Sequence, residues 1–205
     1  LTPQSKAESL ILKAWKYESE VTGLLRSFSK SHNITLQGLE HRLKTHSSAV
    51  RKVRQILAKN PKLKVDDVTI SDTLRYTFEV KDDPAGHYVE VITEVLKLLK
   101  ERGFEPSQVK NYWPKGDNYS GVNMVLKDKT GFEWELQIHT PKSFAEKTRT
   151  HSMYERLRDP KTPLADRQQL FDQMASPWDA IPIPKDVLKE KNLHSAEVIK
   201  TLSRP

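Results

Sequence analysis

The sequence predicts an α+β fold: a mixed, mostly antiparallel sheet of about four to five strands flanked by helices. Three observations predict it. Apolar residues recur at steps of three and four near the start (Leu10, Ala14, Tyr17, Val21, Leu24, Phe28), the stripe of an amphipathic helix over 5–30. Residues 72–80 and 132–140 instead alternate apolar with polar, the period of a half-buried strand. Glycine, proline and capping residues fall between these segments, so the two periods belong to separate elements.

Each element follows in order. Gly38 breaks the first helical pattern, and a second stripe through Val50, Val53 and Leu57 ends before Pro61, with Ser47 as its expected cap. In DTLRYTFEV, Tyr76, Phe78 and Val80 alternate with Arg75, Thr77 and Glu79, which makes a strand. Asp83 and Pro84 supply a cap and first turn, Val89, Ile92, Leu96 and Leu99 line a helix, and Gly103 stops it. QVKNYW (108–113), GVNMVLKD (121–128) and FEWELQIHT (132–140) read as three further strands. Thr140 and Pro141 cap and open another helix, and 164–174 forms the last one before a Pro-rich stretch at 177–184. There is no internal repeat and no low-complexity segment.

The pairing of 121–128 with 132–140 can be counted. A three-residue loop at Lys129, Thr130 and Gly131 places Asp128 opposite Phe132, hence Leu126 opposite Trp134 and Met124 opposite Leu136. The other face then carries Val125 opposite Glu135 and Asn123 opposite Gln137. An even-length loop would pair apolar with polar residues throughout. One face is core, and the other collects Asn123, Glu135, Gln137 and His139.

That polar face is either a solvated surface or a binding surface. The GDNYSG loop (116–121) brings Tyr119 beside the strand of Asn123, where an exposed ring would stack on a base. Arg75, Thr77 and Glu79 form a second polar strand face close after Asp72. Two carboxylates converging on one sheet surface suit magnesium, which takes one or two carboxylates plus substrate phosphates.

Composition narrows the function further. The chain has 205 residues, 36% hydrophobic and 30% charged, enough for one compact domain plus helical extensions. It holds no apolar run of the ~18 residues a membrane span needs and no charged-then-apolar leader, so it reads as soluble, with no membrane partner. Cysteine is absent, which excludes disulfides, thiolate metal sites and cysteine nucleophiles. Leu1 stands first in place of Met, which reads as a domain cut from a larger protein.

Of the net charge of +7, much lies between His41 and Lys64, where eight Lys/Arg follow Glu40 with no further acid. Such a cluster is a solvated helix face or an attractor of phosphate, on a nucleotide or a nucleic acid. The seven histidines fit no HExxH or zinc pattern, and GxxxxGK[ST], GxGxxG and GxSxG are all missing. Nucleotide binding must therefore use side chains.

RYTF after Asp72, then KNYW, NYSGVN and ELQIHT, in that order and spacing, resemble the synthetase domain of RelA/SpoT-type alarmone synthetases. The similarity covers roughly residues 38–158. It implies a nucleotidyltransferase-like synthetase fold and divides the chain into an N-terminal helical extension (1–37), a synthetase domain (38–160) and a C-terminal helix with a Pro-rich tail packed on it (161–205). It also implies an ATP-dependent pyrophosphokinase that moves pyrophosphate from ATP to the ribose 3′-hydroxyl of a purine nucleotide, giving an alarmone of the (p)ppGpp or (p)ppApp type. Magnesium is the implied cofactor.

Position by position, Arg42, Lys44, Ser48 and Lys52 match the stretch that holds the ATP phosphates. Asp72 and Glu135 match the magnesium ligands. Arg75 matches the arginine of the following strand, and Glu135 also matches the group that activates the acceptor hydroxyl, with Gln137 beside it. Lys110 matches a phosphate contact, Tyr119 the ring that stacks on the acceptor base, and His151 a histidine on the next helix. Three departures stand out. Asp72 lies three residues before Arg75, where the family usually has five; Asn123 replaces a histidine; and His139 replaces an arginine. The last two fall around the acceptor pocket, so the acceptor is open among guanine and adenine nucleotides and the 3′ end of tRNA. Short variants of this kind resemble bacterial toxin domains, which implies a cytoplasmic site of action, delivery within a larger protein, and an immunity or antitoxin partner. A non-catalytic nucleotide- or RNA-binding module of the same fold is the alternative from another class.

Overall fold

Thr2 opens the first helix, α1 (Pro3–Ser31), through a reciprocal capping box with Ser5, and Pro3 occupies its first turn. The computed structural model describes residues 1–114, 119–190 and 193. The first part of the GDNYSG loop and the tail at 194–205 lie outside the described residues. After α1 come β1 (Thr35–Gln37), α2 (His46–Lys59), β2 (Arg75–Glu79), α3 (His87–Glu101), β3 (Glu105–Asn111), β4 (Val122–Lys127), β5 (Glu133–His139), α4 (Pro141–Arg158) and α5 (Leu164–Asp179). The strands form one five-stranded sheet in the order β1-β2-β5-β4-β3.

The sheet is mixed and mostly antiparallel. Asp128 N donates to Phe132 O, the register counted for the β4–β5 hairpin. Tyr112 N donates to Gly121 O, which makes β3 and β4 antiparallel as well. The bonds Glu135 N to Leu74 O and Val80 N to His139 O advance in the same direction along both strands, so β2 and β5 are parallel. This pairing sets Glu135 beside Arg75 and Gln137 beside Thr77.

The chain divides into two compact units. The first comprises Leu1–Phe78, Val95–Gln108 and Met124–Gln137, the second Glu79–Glu94, Val109–Asn123 and Ile138–Pro205. In the first, Leu74, Tyr76, Phe78, Met124, Leu126, Trp134 and Leu136 are buried on one sheet face. Trp134 meets Tyr76 and Phe104 edge-on, at centroid distances of 5.9 and 5.6 Å. Helix α1 covers this face: Phe28 packs on Phe78, Thr22 Oγ1 lies 2.6 Å from Tyr76 Oη, and Tyr17 stacks on Phe132 at 4.0 Å. Ala7 of α1 shares a further cluster with Ala49, Val50 and Val53 of α2. In the second unit, Tyr88 and Trp113 meet edge-on and Tyr88 donates to Ile138 O. Trp178 and Ile181 are buried there, and Asn111 Nδ2 donates to Val187 O.

Several boundaries differ from expectation. Thr45 caps α2, accepting from Ser48 N at 3.3 Å, where Ser47 was expected. Asp82 rather than Asp83 serves the start of α3, its Oδ1 accepting from Gly86 N and Tyr88 N. The strand expected over 72–80 begins at Arg75, and the one expected over 108–113 runs Glu105–Asn111. Helix α5 extends to Asp179 with Pro177 inside it, past the expected end at 174. β1 was not expected at all. No helix among the described residues is long and apolar enough to cross a membrane.

Candidate active site

In the first unit, the phosphate-binding candidates are built where 42–44 is stitched beside 73–75. Leu43 and Leu74 form an antiparallel bridge, Lys44 N donates to Thr73 O (2.9 Å), and Arg75 N donates to Arg42 O (2.8 Å). Thr45 then turns the chain into α2, so Lys44 stands just before the helix, Ser48 in its first turn and Lys52 one turn further on. Lys44 Nζ reaches Asp72 Oδ2 at 2.9 Å and Lys52 Nζ reaches Asp72 Oδ1 at 3.0 Å. The Asp72 side chain is only 11% exposed, against 17% for Lys44 and 37% for Lys52. Burial acts to raise the Asp72 carboxyl, but the charges of Lys52 and Lys44 outweigh it and hold the group below the ordinary aspartate range. Two ammonium groups thus converge on one carboxylate, Lys44 from just before α2 and Lys52 from within it, and the dipole at the start of that helix also favours an anion.

Arg42 was expected with this set, and the structure sends it elsewhere. Its backbone is helical (φ −63°, ψ −33°), which turns the side chain out of the run of Lys44. The guanidinium binds Glu18 of α1 and the Leu39 carbonyl. Glu18 is held below the ordinary glutamate range by the Thr22 hydroxyl and, against its burial, by Arg42. Nothing in the spacing of either residue announces this pair.

Glu135 and Gln137 point from β5 to the face opposite Trp134. Glu135 is half-buried and accepts from Gln137 Nε2. Arg75 and Thr77 are their neighbours across the parallel pair. This face therefore carries a carboxylate, an amide, a guanidinium and a hydroxyl within the first unit.

The second unit holds the acceptor-side candidates. Continuing the register from Tyr112 and Gly121 places Lys110 opposite Asn123. Tyr119 was expected to offer an exposed ring, and the structure corrects this: the ring is half-buried, edge-on to Tyr112 at 5.1 Å and tilted on Trp178 at 5.5 Å. Its hydroxyl donates to Asn123 Oδ1 at 2.9 Å and lies 2.8 Å from His139 Nε2. His139 is corrected too, from a direct acceptor contact to a sealed residue at 0% exposure, with Nδ1 2.9 Å from Ser143 Oγ. Burial pushes its imidazole well below the ordinary range, and the charge of Lys147 adds to this, so the ring is neutral. His151 is exposed on α4. Ser143, Tyr112 and Trp178 were missed; only Ser143 carried a sequence signal, as the third residue after the cap Thr140.

Gly121 closes against this histidine. A Cβ there would lie 2.9 Å from His139 Cε1 and 3.2 Å from the Ile138 carbonyl. Gly121→Ala is expected to destabilise the protein by about 1–3 kcal/mol through overpacking. Gly23→Ala on α1, where nothing lies within 4 Å, is expected to stabilise it by up to ~1 kcal/mol. Denaturant titration of the two variants checks both signs.

No protein-family model and no curated protein matches the chain. Solved structures do. The small alarmone synthetase 1 from Bacillus subtilis bound to its product pppGpp is similar over 83% of this chain and 90% of its own, with a TM-score of 0.57 at 15% identity. A GTP pyrophosphokinase family protein from Streptococcus pneumoniae is similar over 83% of this chain and 84% of its own, with a TM-score of 0.53 at 17% identity. The type VI effector Tas1, in complex with its immunity protein, is similar over 89% of this chain and 96% of its own, with a TM-score of 0.51 at 21% identity. At these identities the likeness establishes the fold, the α+β fold of the alarmone synthetases.

Proposed function

We propose that this chain is a pyrophosphokinase that moves the β,γ-pyrophosphate of ATP to the ribose 3′-hydroxyl of a purine nucleotide. The observation that carries this reading is the convergence of Lys44 and Lys52 on Asp72. The likeness to small alarmone synthetases supports it.

Pyrophosphoryl transfer needs charge neutralisation and in-line placement more than covalent help. Lys44 and Lys52, with the first turn of α2 and Ser48, receive the triphosphate. Glu135 takes the proton of the 3′-hydroxyl. The freed oxygen forms a bond to the β-phosphorus as the bond from that phosphorus to the α,β-bridging oxygen breaks, and AMP leaves with that oxygen. Arg75, beside Glu135, adds positive charge to this face, and Gln137 orients the Glu135 carboxylate. Lys110, Asn123 and Tyr119 of the second unit are assigned to the acceptor nucleotide.

Asp72 and Glu135 are hard oxygen donors of the type magnesium takes with substrate phosphates; each Asp72 oxygen carries a lysine ammonium, which would have to pass to the phosphates for the ion to bind there. No group of three or more carboxylates and histidines gathers among the described residues, so any such ion would depend on substrate phosphates for most of its shell. Magnesium, when bound, would neutralise phosphate charge. An enzyme that acts on ATP and purine nucleotides would work in the cytoplasm. The likeness to an effector crystallised with its immunity protein supports an immunity partner for this chain.

The test is incubation with ATP labelled in its β- and γ-phosphates, magnesium and, separately, GDP, GTP, ADP, ATP alone and bulk tRNA. Label is expected on a mononucleotide. Label on tRNA alone would make the chain an RNA-modifying enzyme, and binding without transfer would make it a binding module.

A further inference from the structure

The second unit contains a hydrogen-bonded chain whose inner members, His139 and Ser143, have no part in the transfer step above. Ser143 Oγ lies 2.9 Å from His139 Nδ1, His139 Nε2 lies 2.8 Å from Tyr119 Oη, and Tyr119 donates to Asn123 Oδ1 at 2.9 Å. Ser143 and His139 are both fully buried, whereas Tyr119 and Asn123 are half-buried. The chain therefore runs from the sealed interior to the two residues assigned to the acceptor.

Both inner members are held by close neighbours. Ser143 is the third residue of α4, and its Oγ accepts from Thr140 N at 2.9 Å in the capping box. The His139 ring lies against Gly121, where even a methyl group would collide, and meets the Tyr119 ring edge-on at 5.2 Å. Tyr119 is thus fixed at its phenol end by His139 and along its ring by Tyr112 and Trp178. An apolar residue would fill the site of His139 without the cost of desolvating an imidazole. What the imidazole adds is direction, because it fixes the Tyr119 hydroxyl and, through it, which end of the Asn123 amide is already engaged.

The geometry points to His139 and Ser143 as positioning residues that hold Tyr119 and Asn123 in the pose that receives the acceptor purine nucleotide. This assignment rests on the pyrophosphokinase reading. Neither residue touches a substrate. Their effect is on acceptor binding, because the bonds they make lead to Tyr119 and Asn123, the residues assigned to the acceptor.

The experiment measures KM for acceptor and for ATP separately in His139→Leu, His139→Gln, Tyr119→Phe and the His139→Leu/Tyr119→Phe double variant, each first shown to be folded by thermal unfolding. His139→Leu is expected to raise the acceptor KM roughly 2- to 10-fold, the range of one net hydrogen bond, with the ATP KM unchanged. His139→Gln, whose amide can again meet the Tyr119 hydroxyl, is expected to recover much of that loss. In the double variant the two effects should not add, since they act through one bond. A merely structural role would lower the melting temperature and the active fraction without moving acceptor KM. An unchanged acceptor KM in folded His139→Leu, an equal rise in both KM values, or full additivity overturns the assignment. If the parent transfers to no acceptor, the pyrophosphokinase reading fails, and calorimetric binding of GDP, GTP and ADP then decides. Weaker binding by His139→Leu upholds the positioning role, and equal or absent binding overturns it.

Discussion

Glu135→Gln is expected to leave the protein folded and to slow pyrophosphoryl transfer by about 100- to 10,000-fold, the usual worth of a positioned general base. The substitution changes little else. Glu135 pairs with Leu74 through its backbone N–H, which any residue supplies, and a glutamine amide oxygen can still accept from Gln137 Nε2. Stability should therefore move by no more than about 0.5 kcal/mol. The barrier should rise by roughly 3–5 kcal/mol, because an amide cannot take the 3′-hydroxyl proton. The loss should fall on kcat, with the ATP KM nearly unchanged. Turnover within about threefold of the parent, in a variant that melts at the parent temperature, would remove Glu135 from the chemistry.

The second large effect is expected at Asp72. Asp72→Asn leaves the Lys44 and Lys52 ammonium groups facing one another without a counter-charge. Breaking a fully buried ion pair costs about 3–5 kcal/mol; Lys52 keeps 37% exposure, so a loss of about 2 kcal/mol is expected here. ATP should offset part of it, since a triphosphate supplies the missing charge and a ligand that binds only the folded state stabilises it. The variant should gain more melting temperature from saturating ATP than the parent does, yet turn over far more slowly. Thermal unfolding with and without ATP reads the first quantity, and the rate of AMP release reads the second. An equal ATP-induced shift in variant and parent would make the cluster a structural ion pair instead of a phosphate site.

How much of this was legible depended on how local the determining physics was. The β4–β5 register could be counted because an odd loop with Gly131 leaves one arrangement that keeps Trp134, Leu136, Met124 and Leu126 on a single face. The helix start at Thr140 was equally plain, with its cap, proline and third-residue serine in sequence. The cap of α2 was misplaced by two positions because Thr45, Ser47 and Ser48 can all cap, and the choice is made by the bridge of Leu43 to Leu74. β1 escaped notice because three residues cannot display a period. Asp72 stands three residues before Arg75, yet it precedes β2 instead of lying in it, so strand alternation does not restrict its reach to the lysines. The Arg42–Glu18 pair and the burial of Tyr119 against Trp178 join segments far apart in the chain, and no local pattern encodes them.

The most direct test of the central claim, attack on the β-phosphorus of ATP, is to identify the nucleotide that ATP becomes. The protein would be incubated with ATP, magnesium and a purine nucleotide acceptor, with the 3′-deoxy acceptor in parallel, and adenine nucleotides separated over time. AMP rising one for one with pyrophosphorylated acceptor, and falling away with the 3′-deoxy acceptor, is the result expected here. ADP as the product, or AMP formed equally well without a 3′-hydroxyl, would contradict it.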